Sequence, residues 1–405
     1  KPHRSKLVEM TIDRPSITII YTDIGRGHPN YLDSVLRYMR VHHPREYDKL
    51  RIRSIFEVSR GTALSAWKAI KWLYRTGSRG GLISDIYGSL RSGKSEFDPD
   101  SHLIKILQRD LLKYVDNYDG ICLVAHPLLA NMLKSDHRVF YLHGEIAAPR
   151  ESVTSGVERI YVPLPETAEK MRSQGVDADS LFETGLVLEP ELLADVDEVV
   201  NARLARIERH YTPLTIGFFI SGAYPKRHID LMLAAAESCR RAGHRVQFFW
   251  GSDKRQIDRL VQKVRRFDEN AALDFGNEVA LACRTTVVVS AESREEETTR
   301  SMSYLPQLDL FCAAPHERVN WAVGAGLPML MIAPPIGTFA PQNLDFVLQS
   351  KCGLELTNRH QFETLGEMIT RLRTSGDLTS MVTSGRNIKS IHGAKVITES
   401  LLAAL

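Results

Sequence analysis

The stretch that decides the fold is Thr22-Asp23-Ile24-Gly25-Arg26-Gly27-His28-Pro29, near the start of a 405-residue chain. Ile17-Thr18-Ile19-Ile20-Tyr21 ahead of it is β-branched and aromatic, as a buried strand is, and Leu32, Val35, Leu36 and Met39 after it recur at helical spacing. Strand, tight turn and helix follow one another, the opening unit of a parallel α/β domain. Pro29 suits a first helical turn, where a missing N–H costs nothing, and Gly25 and Gly27 admit positive φ and close approach of a ligand. Free N–H groups there face whatever sits above the sheet, with the positive end of the helix dipole behind them. His28 stands at the mouth of this turn, an imidazole placed to take a proton from a bound hydroxyl. A glycine pair by itself equally fits any first βα turn that carries a chance histidine.

Beyond this unit, Arg51-Ile52-Arg53-Ser54-Ile55-Phe56 reads as a second strand. Between residues 60 and 94 the character changes, with Arg60, Lys68, Lys71, Arg75, Arg79, Arg91 and Lys94 against Asp85 as the only acid. Lys68, Lys71 and Arg75 share one helical face, Trp67, Ile70 and Tyr74 share another, and Trp72 is interleaved. Such a segment either lies on an anionic membrane surface or covers the sheet as a helical insertion with a solvated basic face. Gly120 to Leu128 is a strand running into a helix start, where His126 is either an acceptor contact or a helix cap. Arg138 to Leu142 is the next strand and leads into His143-Gly144-Glu145, and Ile160-Tyr161-Val162-Pro163 follows.

A long polar helix from about Glu189 to His210 reads as a connector. The second half then restarts with a buried strand at Leu214 to Ile220, a glycine turn at Ser221-Gly222-Ala223-Tyr224, and a helix bearing Ile229, Met232, Leu233 and Ala236. The same architecture opens both halves. Further strands are expected at Val246 to Gly251, Thr286 to Ser290 and Leu327 to Ile332, a strand and turn at Leu308 to Pro315, and helices at His316 to Gly324, Ala340 to Gln349 and Met381 to Leu405. Glu292 to Glu297 reads as a solvated loop or helix start.

A chain of this length exceeds what one hydrophobic core serves, and 43% apolar with 25% charged residues is enough for two. A net charge of +3 gives no argument for nucleic acid. Cys122, Cys239, Cys283, Cys312 and Cys352 are scattered and form no C-x-x-C pair, which fits a reduced compartment and not a zinc site. No apolar run reaches the ~18 residues of a bilayer span, and Lys1 to Lys6 lead into no signal-like apolar core. The expected location is cytoplasmic, peripheral on a membrane where the basic segment docks. Neither glycine turn has the G-x-G-x-x-G form, which argues against nicotinamide, and no cluster of metal ligands is visible.

Asp23 to His28 resembles the D-x-G-G-G-H turn of monogalactosyldiacylglycerol synthases and processive diacylglycerol glucosyltransferases, and is similar to the G-G-T-G-G-H turn of the murein-building N-acetylglucosaminyltransferase. Arg26 departs from the pattern by replacing a glycine, which either crowds the turn or adds a cation for a phosphate. His126-Pro127-Leu128 resembles the His-Pro-Leu of the glycolipid synthases, His143-Gly144-Glu145 stands where they have Thr-Asp, and Gly185 matches the glycine before their interdomain crossing. Gly326-Leu327-Pro328 and Gln342-Asn343 stand where GT-B nucleotide-sugar transferases hold the nucleotide and the sugar. The ribose-binding glutamate of those enzymes falls on Trp321, with Glu317 one turn earlier and Asn320 adjoining. Trp321 either stacks on the base or is a core aromatic beneath the nucleotide site.

The resemblance implies a GT-B fold, two Rossmann-like domains facing across a cleft, and an inverting, UDP-sugar-dependent hexosyltransferase acting on a hydroxyl of a lipid or lipid-like acceptor. It implies no metal or other cofactor and no nucleic-acid partner. His28 would be catalytic, with acceptor contacts from Asp23, Gly25, Arg26, Gly27, His126 and Glu145. The nucleotide-sugar donor would meet Ser221, Gly222, Ala223, Gly251, Glu317, Asn320, Gln342 and Asn343, and an anionic membrane would meet Trp67, Lys68, Lys71, Trp72 and Arg75. The expected bounds are 1–200 for the acceptor domain with its insertion at 60–94, 201–212 for a linker, 213–384 for the donor domain, and 385–405 for a helix crossing back. Two rivals share the scaffold: a UDP-sugar 2-epimerase, which needs acidic groups around the sugar and no acceptor pocket, and a non-catalytic binding or regulatory protein.

Overall fold

The computed structural model describes residues 17–24, 27–77, 101–116, 118–222, 224–274, 285–387 and 390–405, excepting the side chains of 27–29, 74–77 and Arg294. Its frame is two parallel sheets. The first holds β1 (Ile17–Tyr21), β2 (Arg51–Ser54), β3 (Ile121–Val124), β4 (Arg138–Leu142), β5 (Arg159–Val162) and β6 (Leu181–Glu183), in the order β2-β1-β3-β4-β5-β6. The second holds β7 (Thr215–Phe219), β8 (Arg245–Phe249), β9 (Ala272–Asp274), β10 (Thr286–Val289), β11 (Leu310–Ala313), β12 (Met329–Ile332) and β13 (Gly353–Leu356), in the order β13-β12-β11-β7-β8-β10-β9. The helices that matter for the site are α1 (Gly27–His42), α2 (Gly61–Gly77), α3 (His102–Val115), α4 (Pro127–Leu133), α5 (Val196–Glu208), α6 (Lys226–Arg241), α7 (Arg294–Tyr304), α8 (Val319–Gly324), α9 (Ala340–Gln349) and α10 (Gly393–Ala403).

Parallel strands with crossover helices are covered on both faces, so alternate residues of one strand enter different cores. On β1, Ile17 and Ile19 pack with Val35 and Met39, while Ile20 joins Val124, Tyr141 and Leu111 on the other side. On β7, Ile216 and Phe218 face one core and Phe219 the other. Strand order reverses beside β1 in the first sheet and beside β7 in the second. At such points successive helices leave to opposite faces, and a crevice opens at the carboxyl ends of the strands.

The chain crosses between domains twice, side by side. Gly185 has φ +83°, and a Cβ there would lie 2.8 Å from the Ser390 carbonyl oxygen, so glycine is needed for the outgoing strand to touch the returning one. Leu186 N–H donates to Ser390 O at 2.8 Å and Gly393 N–H to Leu186 O at 3.0 Å. α10 then packs Ala394, Ile397 and Leu401 into the first-domain core beside Val35 and Met39.

Several elements differ from their sequence expectation. The second strand stops at Ser54, whose hydroxyl accepts from Phe56 N while Glu57 accepts from Ser54 N, so Ile55-Phe56 begins a helical turn instead. The connector is two helices, Pro190–Leu193 and α5, and the tail is likewise two, Asp377–Arg386 and α10. Arg373 secures the end of α5 by donating to Ile207 O at 2.6 Å and to Arg206 O and Thr212 O, each at 2.7 Å.

Trp67, expected at a membrane, is in the first-domain core. It is fully buried with Leu107, Leu111 and Ile55, and its indole N–H donates to Leu107 O at 3.3 Å. The aromatic face of α2 is taken by α3, which leaves Lys68 and Trp72 exposed, Trp72 by 65%. The Arg75 side chain and residues 78–94 of the expected insertion lie outside the described residues. Among the described residues no helix is long and apolar enough to cross a membrane.

Candidate functional site at the interdomain cleft

The carboxyl ends of both sheets meet around Tyr31, Glu145, Glu317 and Asn343. α1 follows directly from β1 and carries Tyr31 into the cleft, 3% exposed, where its hydroxyl hydrogen-bonds Glu145 and lies 3.5 Å from Glu317 O of the second domain. Gly144 makes this approach possible, because a Cβ there would sit 2.2 Å from Tyr31 Cγ. Glu145 therefore reaches the cleft from the end of β4 alongside the tyrosine ring.

Asn343, on α9, is fully buried and spans the two domains. Its Nδ2 donates to Glu145 Oε2 at 3.4 Å and to Pro315 O at 3.3 Å, while its Oδ1 accepts from Ala147 N at 3.2 Å. Beside it, Gln342 Oε1 accepts from Ala148 N at 3.2 Å. His143 braces the same loop: its Nε2 lies 3.0 Å from Ala147 O, which only accepts, so Nε2 carries the proton and Nδ1 accepts from Tyr141 at 3.2 Å. Burial lowers the His143 pKa to about 4, in keeping with this neutral ring.

Burial, reinforced by the nearby Glu317 carboxylate, pushes Glu145 up to about 8 against the opposing hydrogen bonds from Asn343 and Tyr31. At neutral pH the cleft thus holds an uncharged carboxyl group. Burial also raises Tyr31, with the Glu145 and Glu317 charges adding to it. Glu189 is raised by burial, although Trp321 Nε1 donates to its Oε2 at 3.0 Å. Behind Tyr31 the cleft narrows to a small cavity of about 30 Å³ between α1, α7 and the start of α8, with Glu189, Glu297, Glu317, Arg318 and Asn320 on its walls.

No family model matches the sequence, and no curated protein does. Solved structures do. A UDP-GlcNAc 2-epimerase from Neisseria meningitidis bound to UDP-GlcNAc matches 96% of this chain and 99% of its own, with a TM-score of 0.52 at 10% identity. MurG of Acinetobacter baumannii matches over 96% and 100%, with a TM-score of 0.51 at 10% identity. S. aureus MnaA with UDP matches over 96% of each chain, with a TM-score of 0.52 at 9% identity. The likeness runs through both domains. The fold is GT-B.

Within this GT-B frame the expected residues divide into three groups. Glu145, Glu317, Asn320, Gln342 and Asn343 converge on the cleft, but Gln342 and Asn343 spend their amides on the first domain's backbone, which holds the two domains together. Asp23, at the end of β1, is exposed and lies 4.0 Å from Lys71, whose ammonium also sits 4.8 Å above the Phe56 ring. His126 caps α4, its Nδ1 accepting from Leu128 N at 3.2 Å. Ser221 and Gly222 follow the end of β7, and Gly251, with φ +80°, follows the end of β8. Gly27 and His28 begin α1, but the His28 side chain, Gly25, Arg26 and Ala223 lie outside the described residues.

Trp321 is 5% exposed and packs edge-on against Phe219 and Phe311, with ring centroids 5.2 and 5.9 Å away. It is a core aromatic under the cleft floor. The residues that sequence reading missed are Tyr31, Glu189 and Glu297. Glu297 belongs to α7, capped by Ser293, and is 7% exposed on the cavity wall, not solvated. A polar residue facing inward from α7 breaks the helical pattern, and that was the available signal.

Proposed function

We propose that this chain is an inverting glycosyltransferase that moves a sugar from a UDP-sugar to a hydroxyl of a lipid or lipid-like acceptor. The observation that carries this reading is the position of α1: its first turn contains His28, and Tyr31, three residues on, reaches Glu145 and the Glu317 carbonyl at the centre of the cleft. A base on that turn stands at the carboxyl end of β1, beside the switch point of the first sheet. His28 takes the acceptor proton as the acceptor oxygen bonds to the anomeric carbon, and UDP leaves with the electron pair of the broken C–O bond. Ser221 and Gly222, between β7 and α6, offer backbone N–H groups to the departing diphosphate. The neutral Glu145 adds a hydrogen-bonding group that does not repel that diphosphate. For the lipid acceptor, the support is exposed Trp72 and Lys68 on α2, the helix whose Lys71 adjoins Asp23.

Calorimetry with UDP followed by turnover with a UDP-sugar tests the reading. His28→Ala should leave UDP affinity nearly unchanged and lower turnover by ~10²-fold or more, the scale of a positioned general base. Unchanged turnover removes His28 from the mechanism. No UDP binding by the unmodified protein removes every enzymatic reading and leaves the non-catalytic one.

A second reading, UDP-sugar 2-epimerase, is favoured by the carboxyl groups of Glu145, Glu189, Glu297 and Glu317 in and around the cleft. Incubating UDP-GlcNAc with the protein in D₂O, without acceptor, separates the two. Deuterium at C2 together with the 2-epimer would establish the epimerase and exclude the transferase.

A further inference from the structure

Side chains tie the two domains together at α9 and again at α7. On α9, Asn343 Oδ1 accepts from Ala147 N and Gln342 Oε1 from Ala148 N, so two neighbouring amides of the second domain are held by one loop of the first. On α1, Arg37 Nη1 donates to Glu191 Oε1 at 3.1 Å, and its Nη2 lies 3.4 Å from both Glu295 O and Thr299 Oγ1 of α7. Glu191 belongs with the second domain, because Leu192 beside it packs in that domain's core with Val319 and Leu327. Ile146 and Leu164 of the first domain join the same apolar cluster.

These contacts shut the centre of the cleft. Tyr31, Glu145, Asn320 and Asn343 are all buried, and the cavity beside them has room for about one water. A nucleotide sugar cannot reach Asn343 while the domains stand in this arrangement, and a sugar seated on the Gln342 and Asn343 amides has to take them from Ala147 and Ala148. The two chain crossings lie side by side, bonded to each other through Leu186, Ser390 and Gly393, so a rotation about them parts α1 from α7 and leaves each sheet intact. Building on the reading that the cleft takes a UDP-sugar, we propose that this arrangement is self-inhibited: the first domain's loop occupies the amides that the donor's sugar needs, Arg37 latches the rim, and donor binding opens the cleft. Only the open form binds the sugar, so the observed affinity is the intrinsic one reduced by the fraction of molecules that are open.

Arg37→Gln and Glu191→Gln remove the rim latch from either side, at side chains that are 17% and 50% exposed. In calorimetry each variant should bind UDP-GlcNAc about threefold or more tightly than the parent, because a weaker latch raises the open fraction. UDP, which brings no sugar to Gln342 and Asn343, should bind parent and variants alike. In small-angle scattering the radius of gyration of the parent should rise on addition of UDP-GlcNAc, and each variant should already be larger than the parent without it. A radius that falls or stays fixed, variants that bind UDP-GlcNAc no more tightly than the parent, or a gain that UDP shares equally would each overturn the proposal. If UDP binds and one of those results follows, this inference alone fails. If neither UDP nor UDP-GlcNAc binds the parent or the variants, the UDP-sugar reading fails and the inference fails with it.

Discussion

Replacing Glu145 with glutamine removes one titration and little else. The carboxyl is 6% exposed and receives Asn343 Nδ2 at 3.4 Å and the Tyr31 hydroxyl, and glutamine keeps both its shape and an oxygen for the amide. Burial moves its pKa from 4.5 to about 8 in the folded chain. A folded-state pKa above the unfolded one means that the folded protein holds the extra proton through that interval. The stabilisation is therefore full below about pH 4.5 and is lost as pH rises through about 8. At ~1.4 kcal/mol per unit, that interval amounts to roughly 5 kcal/mol, an upper figure because neighbours relax around a buried charge. Urea unfolding of the parent and of Glu145→Gln, at several pH values between about 5 and 8, gives a difference in which the other titrations cancel. The variant should gain on the parent by up to ~1.4 kcal/mol per pH unit across this window. A difference that stays flat would refute the assignment of Glu145 as a neutral group in the cleft.

Gly144→Ala would place a methyl group 2.2 Å from Tyr31 Cγ and push the ring off Glu145, at an expected cost of ~1–3 kcal/mol. In a double-mutant cycle with Tyr31→Ala most of that cost should vanish, and additive costs would show that the ring is not the obstacle. Arg373→Gln should leave carbonyls at the end of α5 unpaired and lower stability by about 2–4 kcal/mol, with faster amide exchange in the segment that follows, and an unchanged melt would refute this anchor. Trp72→Ala should weaken sedimentation with anionic vesicles without changing the melt, while Trp67→Ala should cost about 3–5 kcal/mol of stability because it empties core volume. Equal recovery of the parent in the supernatant with neutral and anionic vesicles would defeat the membrane partner.

Local pattern alone determined the α/β class and the repeated strand, turn and helix that open each half, because strand and helix periodicities are properties of neighbouring residues. It also placed β1, β7 and α9 within a residue or two, since apolar runs and turn residues punctuate the chain where the elements change. The face that α2 buries was not decided locally. Its aromatic and basic faces were both plausible surfaces until α3, whose Leu107 accepts from Trp67 across 40 residues of sequence, covered one of them. The site depended even more on tertiary structure. Tyr31 meets the backbone of Glu317 across 286 residues, and Asn343 meets Glu145 across 198, contacts that no spacing rule anticipates. Glu145 was legible as a carboxylate near the cleft but not as a neutral one, because its proton affinity is set by burial to which the second domain contributes through Asn343 and Glu317.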